Sequence, residues 1–169
     1  SNKSRSVLFV GDISINSTNR LLDIARCTDS LPLLFDHILF KCHPCLAPSQ
    51  FSLPNEMRDV GQLRINDLLK NVDLVVCPPA TSVSVEAAAY SAQIFTFLDP
   101  LSLNLSPLRG YGSTKSFYDL PSFLSLLSSE ELFLPKHSGT SFSCPGIDDY
   151  FFFDQHLARW KKFLSEILT

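Results

Sequence analysis

Short apolar runs alternate with segments of helical periodicity along most of this chain. Continuous runs of β-branched, aromatic and other apolar residues predict buried strands within 6–10, 33–41, 72–77 and 94–98. Weaker runs predict two short strands over 57–60 and 115–119. The stretch 71–100 has the order strand, helix, strand, and such a βαβ unit imposes a parallel sheet. We therefore predict an α/β domain with a Rossmann-like, three-layer α/β/α arrangement around a parallel sheet.

Helices are predicted between and after these strands. Polar residues over 14–19 supply N-caps for a first helix, and a short helix is expected over 65–70. The βαβ unit leaves room for about 12–14 helical residues, beginning near residue 82. Pro121 suits the first position of a helix that runs to about residue 129. Residues 154–168 show the clearest helical periodicity, and we expect this helix to pack back on a single domain formed by residues 1–169.

Polar side chains follow three of the predicted strands, at the edge where parallel sheets bind ligands. Gly11 and Asp12 follow the first strand, and the segment Lys41-Cys42-His43-Pro44 follows the second. The proline holds His43 extended, so the side chains of Lys41 and His43, two positions apart, share one face, from which they could neutralise phosphate oxygens. The hydroxyls of Thr81, Ser82 and Ser84 follow the strand at 72–77, and Glu86 lies one turn further on. Hydroxyls and free backbone N–H groups at a helix start suit the phosphate of a nucleotide.

Several of these residues also have a purely structural interpretation. Asp12 is a common turn residue, and His43 could be an edge histidine beside a solvated Lys41. Glu86 in a first helical turn is favoured by the helix dipole alone.

The composition bears on partners and on location. Hydrophobic residues make up 45% of the chain and charged residues 18%, below the roughly 25% usual for soluble domains, and there are 14 phenylalanines. These values predict an apolar surface that another domain or subunit covers, or else a phenylalanine-rich core. The net charge of −3 argues against a nucleic-acid partner. No apolar run approaches the roughly 18 residues that a membrane span requires.

The five cysteines form an odd set without the spacing of a disulfide framework, which predicts a reduced, cytoplasmic protein. Cys42 and Cys45 match the C-x-x-C redox pattern, but a loop-like stretch follows them where that motif requires a helix. No second pair of cysteines or histidines completes a zinc site, so no metal is expected.

The order of these motifs resembles the C-terminal half of a GT-B glycosyltransferase. A strand ending in K-x-H-P at 41–44 is followed about 30 residues later by a strand of the A-D-L-V-I type and by a serine/threonine cluster with E-A at 81–87. More narrowly, the chain is similar to bacterial sialyltransferases and to capsule or surface-polysaccharide transferases that use CMP-activated sugars. The segment N-L-S-P-L at 104–108 and the tail D-Y-F-F-F-D-Q-H-L-A-R-W-K-K-F-L at 149–164 support this likeness.

The resemblance implies roles for individual residues. His43 and Pro44 would border the nucleotide, with His43 donating a hydrogen bond to a CMP phosphate oxygen and stabilising the leaving group. The hydroxyls of the serine/threonine cluster would hold the same phosphate, and Glu86 would bind the ribose hydroxyls. Neither a metal nor a cofactor is implied, because the donor substrate is the CMP-sugar itself.

The resemblance also implies a second domain. A GT-B enzyme closes two Rossmann-like domains over a nucleotide-sugar donor and a glycan acceptor, and in the sialyltransferase families the catalytic acidic base lies in the N-terminal domain. Within this chain Asp12 is the only acidic residue whose position near the cleft suggests a base, and its context does not support that role. We therefore expect the N-terminal acceptor domain to lie outside this sequence and the isolated chain to be inactive. The full-length enzyme would then be free to associate peripherally with the inner membrane.

Two further interpretations remain open from the sequence. A GT-B-like epimerase or a transferase that uses a UDP-sugar would present the same hydroxyl cluster to a diphosphate. A non-catalytic, doubly wound α/β module would instead act through its apolar surface, and it would bind no nucleotide.

Overall fold

The computed structural model describes residues 4–90, 92–109, 114–129 and 165, and the described residues form one six-stranded parallel sheet flanked by helices. The strand order is β3-β2-β1-β4-β5-β6, and all five neighbouring pairs are parallel. The strands are β1 Ser6–Val10, β2 His37–Lys41, β3 Met57–Asp59, β4 Leu74–Cys77, β5 Gln93–Phe97 and β6 Thr114–Phe117. The predicted α/β class and parallel sheet are confirmed.

Five helices and one 3₁₀ turn accompany the described strands, and the last helix follows β6. They are α1 Ile15–Arg26, α2 Leu31–Leu34, α3 Ile65–Leu69, α4 Val83–Ala89, α5 Leu120–Leu127 and the 3₁₀ turn Pro48–Gln50. α4 has seven residues, about half the predicted length. The helix predicted over 154–168 and the aromatic run before it lie outside the described residues, apart from Ser165, which is helical and exposed.

Side-chain caps define the starts of the two longest described helices. Ser14 precedes α1, and its Oγ accepts a hydrogen bond from the N–H of Ser17 at 3.3 Å. Asp119 precedes α5, and its carboxylate accepts from the N–H of Ser122 at 2.9 Å. Such caps satisfy backbone donors that a helix leaves unpaired at its start. Pro121 lies in the first turn of α5, one position later than predicted.

The two faces of the sheet bury separate clusters. α1 and α5 cover the face that carries Phe9, Phe95 and Phe97, while α3 and α4 cover the face that carries Leu8 and Val75. Alternate residues along each strand point to opposite faces, so continuous apolar runs are needed to fill both layers.

Phenylalanine dominates the first of these clusters. The ring of Phe123 on α5 lies 4.6 Å from that of Phe117 and 6.3 Å from that of Phe9, measured between centroids. Eight phenylalanines of the described residues are buried: Phe9, Phe35, Phe40, Phe51, Phe95, Phe97, Phe117 and Phe123. Much of the aromatic content therefore belongs to the core.

Candidate functional site

A cavity of about 470 Å³ opens at the carboxyl edge of the sheet, between the segments that follow β1, β2 and β4. Parallel register brings these segments together, since Val10 at the end of β1 pairs with Lys41 at the end of β2. The cavity is lined by eight of the nine predicted site residues, which are Gly11, Asp12, Lys41, His43, Pro44, Thr81, Ser82 and Glu86. Ser84, the ninth, is not among the lining residues. The juxtaposition is observed, while the binding role of each residue stays a prediction.

The orientation of the His43 ring is fixed by the backbone of its own loop. The N–H of Cys45 donates to His43 Nδ1 at 3.2 Å. With Nδ1 acting as an acceptor, the proton of the neutral imidazole lies on Nε2. His43 is half-buried and lines the cavity, so Nε2–H is a donor available to an acceptor atom there.

Gly11 lets β1 and the His43 segment approach closely. Its N–H donates to the carbonyl of Lys41 at 2.9 Å. A Cβ at this position would lie 3.4 Å from the backbone nitrogen of His43 and 3.4 Å from side-chain atoms of Phe40 and Thr18. A Cβ would thus be in close van der Waals contact, and side-chain atoms beyond it would have to displace these neighbours.

Asp12 behaves as the turn residue that the structural interpretation expected. Its N–H donates to Thr18 Oγ1 at 2.9 Å, and its Oδ1 accepts from the N–H of Ser14 at 3.2 Å. The carboxylate lines the cavity while it organises the start of α1.

Local hydrogen bonds occupy much of the hydroxyl cluster. Thr81 Oγ1 accepts from the N–H of Val83 at 3.2 Å, and Ser84 Oγ donates to the carbonyl of Thr81 at 2.9 Å. Ser84 is 2% exposed, which agrees with its absence from the cavity wall. Ser82 Oγ reaches Glu86 Oε1 only weakly, at 3.4 Å, and Ser82 is exposed. Thr81 and Ser82 are thus the two hydroxyls placed to meet a ligand.

The charges around the cavity are sparse and of both signs. Among its described lining residues Lys41 is the basic one, and Asp12 and Glu86 are acidic. The short α4 adds little dipole, and the N–H of Val83 in its first turn is already bonded to Thr81. Such a cavity suits a ligand that carries little negative charge. No group of three or more metal-ligating side chains occurs among the residues that the structure describes.

The described C-x-x-C residues are not arranged as a redox pair. Cys42 is buried, and its Sγ lies 3.4 Å from the carbonyl of Leu46. Burial raises the pKa of the Cys42 thiol, and the negative charge of Asp59 raises it further. A redox-active cysteine requires the opposite shift.

Exposed apolar side chains are frequent at the edge of the sheet where the cavity opens, a feature that motif reasoning did not locate. Seven of them lie on loops or helix starts that follow β1, β3, β5 and β6, and they are called the apolar rim here: Ile13, Ile15, Leu63, Leu101, Leu103, Leu105 and Tyr118. Leu101 and Leu103 are each 78% exposed. Among the described residues, this edge holds seven of the ten most exposed large apolar side chains.

Comparison with known proteins identifies the fold. No protein-family model and no curated protein matches this chain. The glycotransferase of kitacinnamycin superposes with a TM-score of 0.60 at 11% identity, over 98% of this chain and 44% of that one. The glycosyltransferase SnogD from Streptomyces nogalater gives a TM-score of 0.53 at 12% identity, over 90% of this chain and 39% of that one.

These similarities show a fold and no more. They confirm the predicted Rossmann-like domain as one half of a GT-B fold. This chain spans less than half the length of each of the two glycosyltransferases. Among the described residues, no helix is long and apolar enough to cross a bilayer.

Proposed function

We propose that this domain binds the nucleotide part of a CMP-sugar and forms the donor half of a metal-independent glycosyltransferase that builds bacterial surface polysaccharides. The observation that carries the proposal is the pairing of His43 with the Thr81 and Ser82 hydroxyls around one cavity. The backbone N–H of Cys45 holds the imidazole with Nε2–H as the available donor. The likeness to glycosyltransferases and the K-x-H-P and serine motifs support the same proposal.

The proposed chemistry is stabilisation of the leaving nucleotide. As the bond between the sugar and CMP breaks, negative charge grows on the phosphate. Fixed donors aimed at that phosphate lower the barrier because they need not reorient as the charge develops. His43 Nε2–H would supply one donor, and the hydroxyls of Thr81 and Ser82 would supply two more. Glu86, whose Oε1 lies 3.4 Å from Ser82 Oγ at the wall of the cavity, would accept hydrogen bonds from the ribose.

The charge of the cavity favours a nucleoside monophosphate over a diphosphate. Asp12 and Glu86 repel added negative charge, and Lys41 alone among the described lining residues offsets it. A CMP leaving group carries one phosphate, whereas UDP carries two. The charge of the cavity therefore favours a CMP-sugar over a UDP-sugar as the donor.

The apolar rim supports a second domain as the partner. Leu101, Leu103 and Leu105 are 78%, 78% and 64% exposed on the loop after β5, at the edge of the sheet where the cavity opens. Several large apolar side chains exposed on one loop are typical of an interaction site. Because the chain corresponds to less than half of the two solved glycosyltransferases, we propose that an acceptor domain covers this edge and supplies the catalytic base. The isolated chain would then bind the donor without transferring sugar.

Calorimetric titration of the 169-residue chain with CMP, UMP, UDP and AMP tests the proposal. We expect CMP to bind with a dissociation constant of about 0.1–1 mM, or roughly 4–5.5 kcal/mol. His43→Ala should weaken CMP binding about ten-fold or more, since it removes a charge-assisted hydrogen bond. His37→Ala is the matched control, because His37 is an exposed histidine at the opposite, amino end of β2.

Each alternative has its own outcome in this titration. Binding of UDP in preference to CMP would support the alternative of a UDP-sugar transferase or epimerase over the CMP-sugar transferase. Equal loss of CMP affinity in both histidine variants would contradict the role of His43. Absence of heat with all four nucleotides would contradict the proposal for this chain and favour the interaction module.

A further inference from the structure

The ammonium group of Lys41 is already bonded within the protein. Lys41 Nζ donates to the carbonyl of Gly61 at 3.0 Å and to the carbonyl of Leu63 at 2.7 Å. Both carbonyls belong to residues 60–64, called the β3–α3 loop here. Two of the three N–H donors of the ammonium are therefore used on one loop.

Within the described part of the chain, the β3–α3 loop has few other long-range backbone hydrogen bonds. The N–H of Val60 donates to the carbonyl of Phe40 at 2.8 Å, and the N–H of Leu63 closes a turn on Val60 at 2.9 Å. Gly61 N–H bonds to the side chain of Asp59, which is two residues away. Arg64, at the N-cap of α3, makes no side-chain capping bond. Lys41 thus provides two of the contacts that join this loop to the central sheet.

The position of this loop matters for the cavity. Ile65 begins α3 directly after the loop, and it lines the cavity together with Lys41 itself. If the loop shifted, the wall at Ile65 would shift with it. A lysine that turned toward a ligand phosphate would leave two backbone carbonyls without their charged donor, and the loss is costly at Gly61, whose bond is partly buried.

We propose that Lys41 is a positioning residue, which fixes the β3–α3 loop and the Ile65 wall of the cavity and does not itself bind the ligand phosphate. This replaces the phosphate-binding role that the sequence suggested for Lys41. The part of the proposal that concerns ligand affinity rests on the proposed function, and the part that concerns the loop does not.

The part of the proposal that concerns the loop is tested by hydrogen–deuterium exchange, without any ligand. In Lys41→Met we expect the hydrogen-bonded amides of Val60, Gly61 and Leu63 to exchange about ten-fold faster or more, because the loss of two hydrogen bonds from a charged donor favours local opening. Lys70→Met removes the same charge from an exposed lysine at the end of α3 and should leave these amides unchanged. Unchanged exchange in Lys41→Met would overturn the proposal, whether or not the chain binds a nucleotide.

The ligand role is tested by comparing cytidine with CMP in the same calorimeter. If Lys41 is a positioning residue, Lys41→Met should weaken cytidine as well as CMP, since the cavity wall is common to both. If Lys41 bound the phosphate instead, Lys41→Met would weaken the binding of CMP and leave that of cytidine unchanged. This result would overturn the proposal. Where the wild-type chain binds neither ligand, the proposed function fails and the exchange measurement alone decides the role of Lys41.

A milder variant covers the case in which Lys41→Met fails to fold. The amide of Lys41→Gln is shorter and neutral, and it can donate to only part of the loop. We expect exchange at the amides of Val60, Gly61 and Leu63 to lie between the wild-type and Lys41→Met values, with a circular dichroism spectrum like that of the wild type. Wild-type exchange rates in a folded Lys41→Gln protein would contradict the proposal.

Discussion

Burial divides the four described cysteines into two pairs with different reactivity. Cys42 and Cys77 are buried, whereas Cys27 and Cys45 are exposed. Burial raises the pKa of the Cys77 thiol to about 12, and it raises the pKa of Cys42 as well. Because the thiolate is the reactive form, a raised pKa and poor access both slow alkylation.

Alkylation of the folded chain with iodoacetamide at pH 8 should therefore be selective. We expect Cys27 and Cys45 to react at least ten-fold faster than Cys77, with rates read from the masses of proteolytic peptides. The denatured chain is the control, and there the rates should converge. Fast modification of Cys77 in the folded chain would contradict its buried position in β4.

At the scale of single residues, the sequence predicts where the candidate site lies better than it predicts the hydrogen bonds within the site. His43, Thr81 and Ser82 follow buried strands, and parallel strands all end at one edge, so their meeting follows from topology. The partners of Lys41 could not be predicted, because its two carbonyl acceptors lie twenty and more residues away in a loop without a motif. Ser84 turned inward because its hydroxyl bonds the carbonyl of Thr81, a common local bond of serine.

At the scale of elements, an ion pair between a half-exposed arginine and a buried carboxylate links the loop after β5 to α1. Asp99 is 5% exposed, and its carboxylate contacts the guanidinium of Arg20 on α1 while accepting from the N–H of Leu101 at 3.0 Å. Burial alone would raise the pKa of Asp99, but the Leu101 N–H and the Arg20 guanidinium outweigh it and lower the pKa below its ordinary value. The folded state thus favours the ionised carboxylate.

The sign of the pH dependence follows from this lowered pKa. Above the unfolded pKa of about 3.9 the Asp99 contribution to stability is fully present, and it is lost as pH falls through the lower folded pKa. We expect Asp99→Asn to reduce the free energy of unfolding by about 1–3 kcal/mol at pH 7 and to flatten its fall below about pH 4. Urea denaturation at several pH values measures both effects.

The matched control for this prediction is Asp67→Asn. Asp67 is exposed on α3 and pairs with Lys70 at 3.4 Å, so its loss should change the free energy of unfolding by no more than about 0.5 kcal/mol. An Asp99→Asn protein as stable as the Asp67→Asn protein at pH 7 would show that the link from β5 to α1 is unimportant.

Element types were predictable from periodicity, while two boundaries were not. Each of the six described strands falls within or overlaps a predicted apolar run, since both faces of a parallel sheet must be buried. α4 ends early, at Ala89, although alanine favours helix, because the chain must return to the start of β5 at Gln93. Leu33 and Leu34 belong to α2, which an apolar run alone could not separate from the strand that follows.

At the scale of the whole molecule, large apolar side chains are buried in the core and exposed in the apolar rim. The described phenylalanines fill the sheet faces, while leucines of the loop after β5 remain exposed at the carboxyl edge. Composition left an apolar surface and a phenylalanine-rich core as alternatives and located neither. Only the topology shows that the exposed leucines and the cavity lie at the same edge of the sheet.

A labelling experiment decides whether a further domain covers the apolar rim. Leu103→Cys places a thiol at a position that is 78% exposed, and Leu33→Cys does so at an 85% exposed position on α2, which precedes the amino end of β2. Both thiols should react with a maleimide at similar rates in this 169-residue chain. In the complete product of the natural gene we expect Leu103→Cys to react at least ten-fold more slowly, while Leu33→Cys keeps its rate, since a docked domain excludes the reagent from one edge only. Peptide masses separate these thiols from Cys27 and Cys45. Equal labelling rates for Leu103→Cys in both proteins would show that the apolar rim is uncovered, and they would contradict the two-domain proposal.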